Sequence, residues 1–223
     1  MSIRRRLRTI AARLTRAYGP PPAARHLPPV DELVLTILSQ NTSDVNRDRA
    51  YADLRRRYPT WSAAMAASAR SIASAIRRGG LSLTKAPRIK ATLRSLAEQG
   101  VALDEPHALS DRRDHDLWEL LVGLPGVGPK TAACVLLFSL DRPYFPVDTH
   151  VHRVSLRLGL VGERATAVQT QATLQEKVPP EFVYELHMGL IRHGRAVCVA
   201  RRPLCSQCVL ADLCPRVGVT DAR

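Results

Sequence analysis

The apolar positions of this chain recur every three or four residues from the first turn to about residue 194, and no stretch alternates in twos. That period predicts amphipathic helices rather than strands. Leu7, Ile10 and Leu14 form the first such stripe, then Gly19-Pro20-Pro21-Pro22 and Pro28-Pro29 stiffen a linker. Helical patterns follow over Asp31–Leu38, Val45–Tyr58, Trp61–Ala69, Ile72–Arg78, Ala86–Glu98 and Asp114–Val122. They are punctuated by the polar loop Ser39–Asp44, by Pro59, by Gly79-Gly80, by Gly100 and by the stretch around Pro106. Further helices are expected at about 130–140, 149–159, 164–177 and 180–194. The pattern predicts an all-α protein without internal repeats.

Between the helix that ends near Val122 and the apolar helix starting after residue 128 lies Leu124-Pro125-Gly126-Val127-Gly128-Pro129-Lys130. Two glycines permit positive φ or close approach of a ligand, and Pro129 suits a first helical position, where a missing N–H costs nothing. Free amides at a helix start next to glycines favour an anion, phosphate above all. Lys130 stands in that first turn, where a cation is out of place against the helix dipole unless it has work to do. Eighteen residues later Asp148 precedes a helix carrying Val151, Val154 and Leu158, in the N-cap position.

Charge sharpens the anion reading. The chain has 223 residues and a formal net charge of +13, which fits a polyanionic partner, nucleic acid before membrane. Seven arginines and no acid fall within residues 1–25, and only four of the 33 basic residues are lysine. The basic first helix fits a transit peptide in charge but is poor in serine. The other expectation is that it packs on the C-terminal part and turns its arginines toward nucleic acid. No apolar run has signal-peptide character or the roughly 18 residues that span a bilayer, so a soluble, cytoplasmic, nucleoid-associated protein with no membrane partner is expected.

Four of the five cysteines fall in Cys198-x6-Cys205-x2-Cys208-x5-Cys214. Four thiolates can hold zinc or an iron–sulfur cluster. One Cys-x2-Cys pair, rather than two pairs far apart, leans toward iron–sulfur. Arg192, Arg195, Arg201 and Arg202 surround these residues in sequence. Cys134, amid Ala133, Val135 and Leu136, is expected to be a buried apolar residue.

Leu-Pro-Gly-Val-Gly-Pro-Lys-Thr-Ala (124–132) followed by Val-Asp-Thr-His-Val (147–151) resembles the endonuclease III branch of the helix–hairpin–helix DNA glycosylases. The likeness runs from about Asp31 to Pro215. It implies two helical domains, a six-helix domain over about 31–142 and an iron–sulfur domain from 1–30 plus 143–223, with DNA in the groove between them. It implies that Gly126, Val127 and Gly128, flanked by Leu124, hold a DNA phosphate, that Lys130 is the nucleophile and that Asp148 is its acidic partner. The same resemblance makes Cys198, Cys205, Cys208 and Cys214 the ligands of a [4Fe–4S] cluster.

His150 is expected by that likeness to line the pocket, and Gln40, Asn41 and Leu81 to fill the gap left by an extruded base. Asn41 aligns with a glutamine usual in relatives, and Pro129 stands where relatives often carry a basic residue. The implied activity is a bifunctional glycosylase and abasic-site lyase for oxidised pyrimidines, acting as a monomer on double-stranded DNA with damaged bases or abasic sites. Taken singly, the residues allow duller roles: a lysine touching phosphate, an aspartate that only caps a helix, a hairpin that binds DNA without chemistry. Same-fold alternatives are a glycosylase for another lesion or mismatch with little lyase activity; the other alternative is a non-catalytic iron–sulfur DNA-binding protein.

Overall fold

A computed structural model of the protein describes residues 2–24 and 26–223, and every regular element among them is helical. Two compact units emerge, one formed by Met1–Ala24 with Pro143–Arg223, the other by Arg25–Arg142. Helix α1 (Ile3–Tyr18) opens the discontinuous unit. The continuous unit holds α2 (Pro29–Leu38), α3 (Asp44–Arg57), α4 (Trp61–Ala66), α5 (Ala69–Ala75), α6 (Ser82–Glu98), α7 (Asp114–Gly123) and α8 (Pro129–Leu140). The chain then returns to the first unit for α9 (Thr149–Arg157), α10 (Ala167–Lys177) and α11 (Val183–Ala196).

In the continuous unit α2 and α8 pack against each other at the centre. All ten residues of α2 are buried, and so is the run from Thr131 to Leu137 in α8. A helix apolar on most faces has this fate. The polar residues that α2 buries are partnered. Asp31 accepts from Trp61 Nε1 at 2.8 Å and from the Tyr51 hydroxyl, and the Arg55 guanidinium lies 4.4 Å over the Trp61 ring. Burial, reinforced by this carboxylate, pushes the Tyr51 phenol up.

The linker is assigned differently from expectation. Residues 26–30 belong with the continuous unit, because the Leu27 carbonyl accepts from Ser139 of α8 and Pro29 already starts α2. Helix boundaries also shift where side chains cap. Ser68 accepts from the Ser71 amide, so α5 starts at Ala69, three residues before the expected Ile72, and α4 stops at Ala66 rather than Ala69. α6 starts four residues earlier than predicted, because Leu81 adopts φ 48° and its carbonyl accepts from the Thr84 and Lys85 amides.

In the discontinuous unit α1 lays Leu7, Ile10, Ala11 and Leu14 against α11. Its three large aliphatic side chains contribute about 2 kcal/mol each, an upper estimate from buried area. A Cβ on Gly189 of α11 would stand 3.1 Å from Leu14 Cβ, so the small residue permits the close crossing. The arginines of α1 are partly spent inside the unit. Arg6 donates to the carbonyls of Leu158 and Leu213, Arg13 pairs with Asp212, and Arg8 lies 5.6 Å over the Phe182 ring. The first helix is thus a packed element of this unit, not merely a basic arm.

Candidate active site and metal centre

The hairpin arises because α7 stops at Gly123 and α8 cannot begin before Pro129. Leu124 and Val127 turn inward, 2% and 5% exposed, and the Val127 amide donates to the Leu124 carbonyl at 3.1 Å. From α6 the Thr92 hydroxyl donates to the Pro125 carbonyl at 3.1 Å. Gly126, at φ 75°, and Gly128 stay exposed. Of the three amides expected to face an anion, that of Val127 is therefore committed to the turn, and Leu124 and Val127 serve as the hairpin's apolar anchor. Lys130 is the second residue of α8 and half-buried, at the point where the helix passes into the core.

Two loop tips lie in the same unit. Asn41 and Leu81 are exposed and both hold positive φ, 50° and 48°. Asparagine tolerates that region, whereas leucine does so at a cost of order 1 kcal/mol. Leu81 is 54% exposed and Leu83 80%. Gln40 does not project alone, since its Oε1 accepts from Arg88 Nη1 at 2.6 Å. Beneath the tips lies a residue that the sequence reading missed. Lys85, 2% exposed, donates through Nζ to the carbonyls of Leu38 at 2.7 Å and Gly79 at 2.8 Å. Each carbonyl ends a helical segment just before a tip, so one ammonium ties both loops. The one hint in sequence was a lysine where arginine is the rule.

In the discontinuous unit Asp148 caps α9, its Oδ1 accepting from the Val151 amide at 2.8 Å. The cap fixes the carboxylate's orientation. His150 Nδ1 lies 3.1 Å from Arg153 Nη2, and Arg153 Nε donates to the Cys198 carbonyl at 2.9 Å. One turn on, Arg157 Nη1 donates to Cys198 Sγ at 3.3 Å and to the Val199 carbonyl at 2.7 Å. Arg153 and Arg157, spaced i, i+4 on α9, are the guanidinium groups that knot the cysteine loop. Arg192, expected there, instead donates to the carbonyls of Tyr18, Gly19 and Pro20 at the end of α1.

Cys198, Cys205, Cys208 and Cys214 line one pocket, with Val154, Leu158 and Leu204 among its apolar walls. Burial pushes the Cys208 and Cys214 thiols up, and charge on the other cysteines pushes the same way. Four thiolates together therefore require a strongly cationic centre. Four cysteine sulfurs lining one pocket are a donor set that fits a zinc ion or an iron–sulfur cluster.

Buried His193 stands beside these ligands, Nε2 3.6 Å from Cys208 Sγ and Nδ1 2.8 Å from the Tyr18 hydroxyl. Burial lowers its pKa to about 4. It packs at the centre and is not a phosphate contact. Cys134 is buried in α8, away from the other four in sequence.

Residues 34–180 match the HhH-GPD superfamily of base excision DNA repair proteins, and residues 198–214 match the iron–sulfur binding domain of endonuclease III. The chain is 37% identical over 205 residues to an Arabidopsis thaliana protein with a provisional DNA glycosylase name, covering 86% of this chain and 66% of that protein. To endonuclease III of Thermotoga maritima it is 34% identical over 186 residues, 83% of this chain and 82% of the relative. A solved structure of a trapped endonuclease III–DNA covalent intermediate superposes with a TM-score of 0.81 at 29% identity, covering 97% of each chain.

Proposed function

This chain belongs to the HhH-GPD superfamily of base excision DNA repair proteins, within its endonuclease III group, and we propose from that premise that it is a DNA glycosylase and abasic-site lyase acting on oxidised pyrimidines in duplex DNA. The observation that carries the reading is the hairpin. It offers two exposed glycines just before α8 and puts a half-buried lysine in that helix's first turn.

A lysine acts as a nucleophile only as the neutral amine. In the proposed reaction the neutral Lys130 amine attacks C1′ of an extruded nucleotide, the bond to the damaged base breaks, and the base leaves with the bonding pair. Loss of the amine proton and opening of the sugar give an imine. Removal of a C2′ proton then expels the 3′ phosphate by β-elimination. Asp148, oriented by its cap to α9, opposes the positive charge that grows on the sugar. The exposed Asn41 and Leu81 tips supply side chains for the vacated stack.

The cysteines take no part in these steps. Their [4Fe–4S] cluster supplies metal–sulfur bonds that fold residues 198–214, a segment with too few apolar side chains to order itself. Arg153 and Arg157 transmit that order to α9, the helix that Asp148 begins.

Borohydride reduction on an abasic-site duplex tests the reading. The expected result is a covalent protein–DNA adduct that Lys130→Ala abolishes. Strand cleavage that persists in that variant, or base release from a thymine glycol duplex with no adduct, refutes the lysine chemistry.

A further inference from the structure

The hairpin from Leu124 to Pro129 carries no charged side chain, and the first cation after it, Lys130, is assigned to the chemistry. Backbone amides alone make a modest anion site. A cation reaches this hairpin from elsewhere in the same unit. A Cβ placed on Gly126 would lie 2.5 Å from Arg88 Nε, 2.6 Å from its Cδ and 2.8 Å from its Cγ. The Arg88 side chain therefore runs along the face of Gly126, and that glycine is required twice, for φ 75° and for the space the arginine fills. Arg88 rises from the turn of α6 that follows Lys85, and Thr92, one turn later, holds the Pro125 carbonyl. The base of the hairpin is thus fixed relative to the guanidinium.

At its far end Arg88 donates through Nη1 to Gln40 Oε1 at 2.6 Å. Arginine can only donate, which settles that the glutamine presents its oxygen. A planar guanidinium with five donors can serve this acceptor and a phosphate oxygen together. Gln40 is adjacent to Asn41, the exposed tip.

We propose that Arg88 is the cationic member of the hairpin's phosphate site, and that through Gln40 it couples phosphate binding to the placement of the Ser39–Asn41 loop. The inference rests on the hairpin being a DNA-phosphate site but not on the lysine chemistry.

The test uses the full-length, cluster-loaded protein with Arg88→Gln and Arg88→Lys variants. Binding to two duplexes, one undamaged and one with a tetrahydrofuran abasic analogue, is followed by fluorescence anisotropy across a potassium chloride series. Losing one phosphate contact lowers the slope of log affinity against log salt by about 0.9. Arg88→Gln is expected to show that drop and to bind about tenfold more weakly. Arg88→Lys keeps the charge but cannot bridge, so it keeps the slope while losing preference for the abasic duplex.

An Arg88→Gln slope equal to that of the unaltered protein overturns the phosphate role. An Arg88→Lys protein with full abasic preference overturns the coupling. A merely structural arginine would lower the melting temperature in both variants and leave the slope alone, which also overturns it. Strand cleavage is scored separately: an unaltered protein that binds with the expected slope but cannot cut abasic DNA defeats the lyase reading and leaves Arg88 standing.

Discussion

Replacing Lys85 by methionine, similar in length but unable to donate, probes the tie beneath the two loops. The ammonium makes two buried hydrogen bonds, 2.7 and 2.8 Å, to the carbonyls of Leu38 and Gly79. Bonds from a charged donor contribute about 1.5–3 kcal/mol each, and each carbonyl left buried without a donor forfeits about 1–3 kcal/mol. Methionine avoids the desolvation of the ammonium, which recovers part of this. The expected net loss is about 3 kcal/mol, or about 6–12 °C of melting temperature for a chain of this size.

The pH dependence has a definite sign. Burial lowers the Lys85 pKa from its ordinary 10.5. Below the folded value both states are protonated and the difference between wild type and variant is flat. Between the folded value and 10.5 the unfolded chain binds the proton more tightly, so wild type gains stability relative to the variant as pH rises. Thermal melts followed by circular dichroism across pH 7–10.5 give the magnitude and sign. Hydrogen exchange should show faster opening of residues 38–43 and 79–84. A loss below about 1 kcal/mol would refute the account of this lysine as a structural tie, and a difference that shrinks with alkali would refute the lowering of its pKa by burial.

Asparagine caps a helix as well as aspartate does, so Asp148→Asn should keep α9 intact and bind DNA normally while slowing base release by about a hundredfold or more in single-turnover assays. Asp148→Ala should in addition lose about 1 kcal/mol of stability in denaturant melts. Cys214→Ser should lower iron content and the brown visible absorption, and limited proteolysis should then cut first within residues 198–223. His193→Phe removes the ring nitrogen that lies 3.6 Å from Cys208 Sγ, and a polar contact to that sulfur predicts a lower cluster reduction midpoint in a potentiometric titration of the variant; an unchanged midpoint would show that the contact carries no charge interaction. Gly126→Ala strains a φ of 75° and pushes Arg88 aside, so duplex affinity should drop in the anisotropy assay with the cluster intact.

Local chemistry was legible in the chain itself. The 3.6-residue period gave the helices, because burial of one face acts on every turn of each segment alike. The hairpin, Lys130, the cap at Asp148 and the four-cysteine spacing were readable because each is a short run whose backbone needs are met by its own residues. The places where periodicity misplaced a boundary are those where a single side chain intervenes, as with the Ser68 cap and the left-handed Leu81.

What only the tertiary structure decided is where long polar side chains end. Lys85 turns inward to two helix ends, Arg88 runs past Gly126 to Gln40, and Arg153 and Arg157 rather than Arg192 hold the cysteine loop. No periodicity encodes these outcomes. A chain with 33 cationic residues offers many interchangeable donors, and which one meets a given carbonyl depends on distances set by packing between segments far apart in sequence. Apolar burial is a property each helix can announce alone, whereas a hydrogen bond across 40 residues has no partner until both helices are in place.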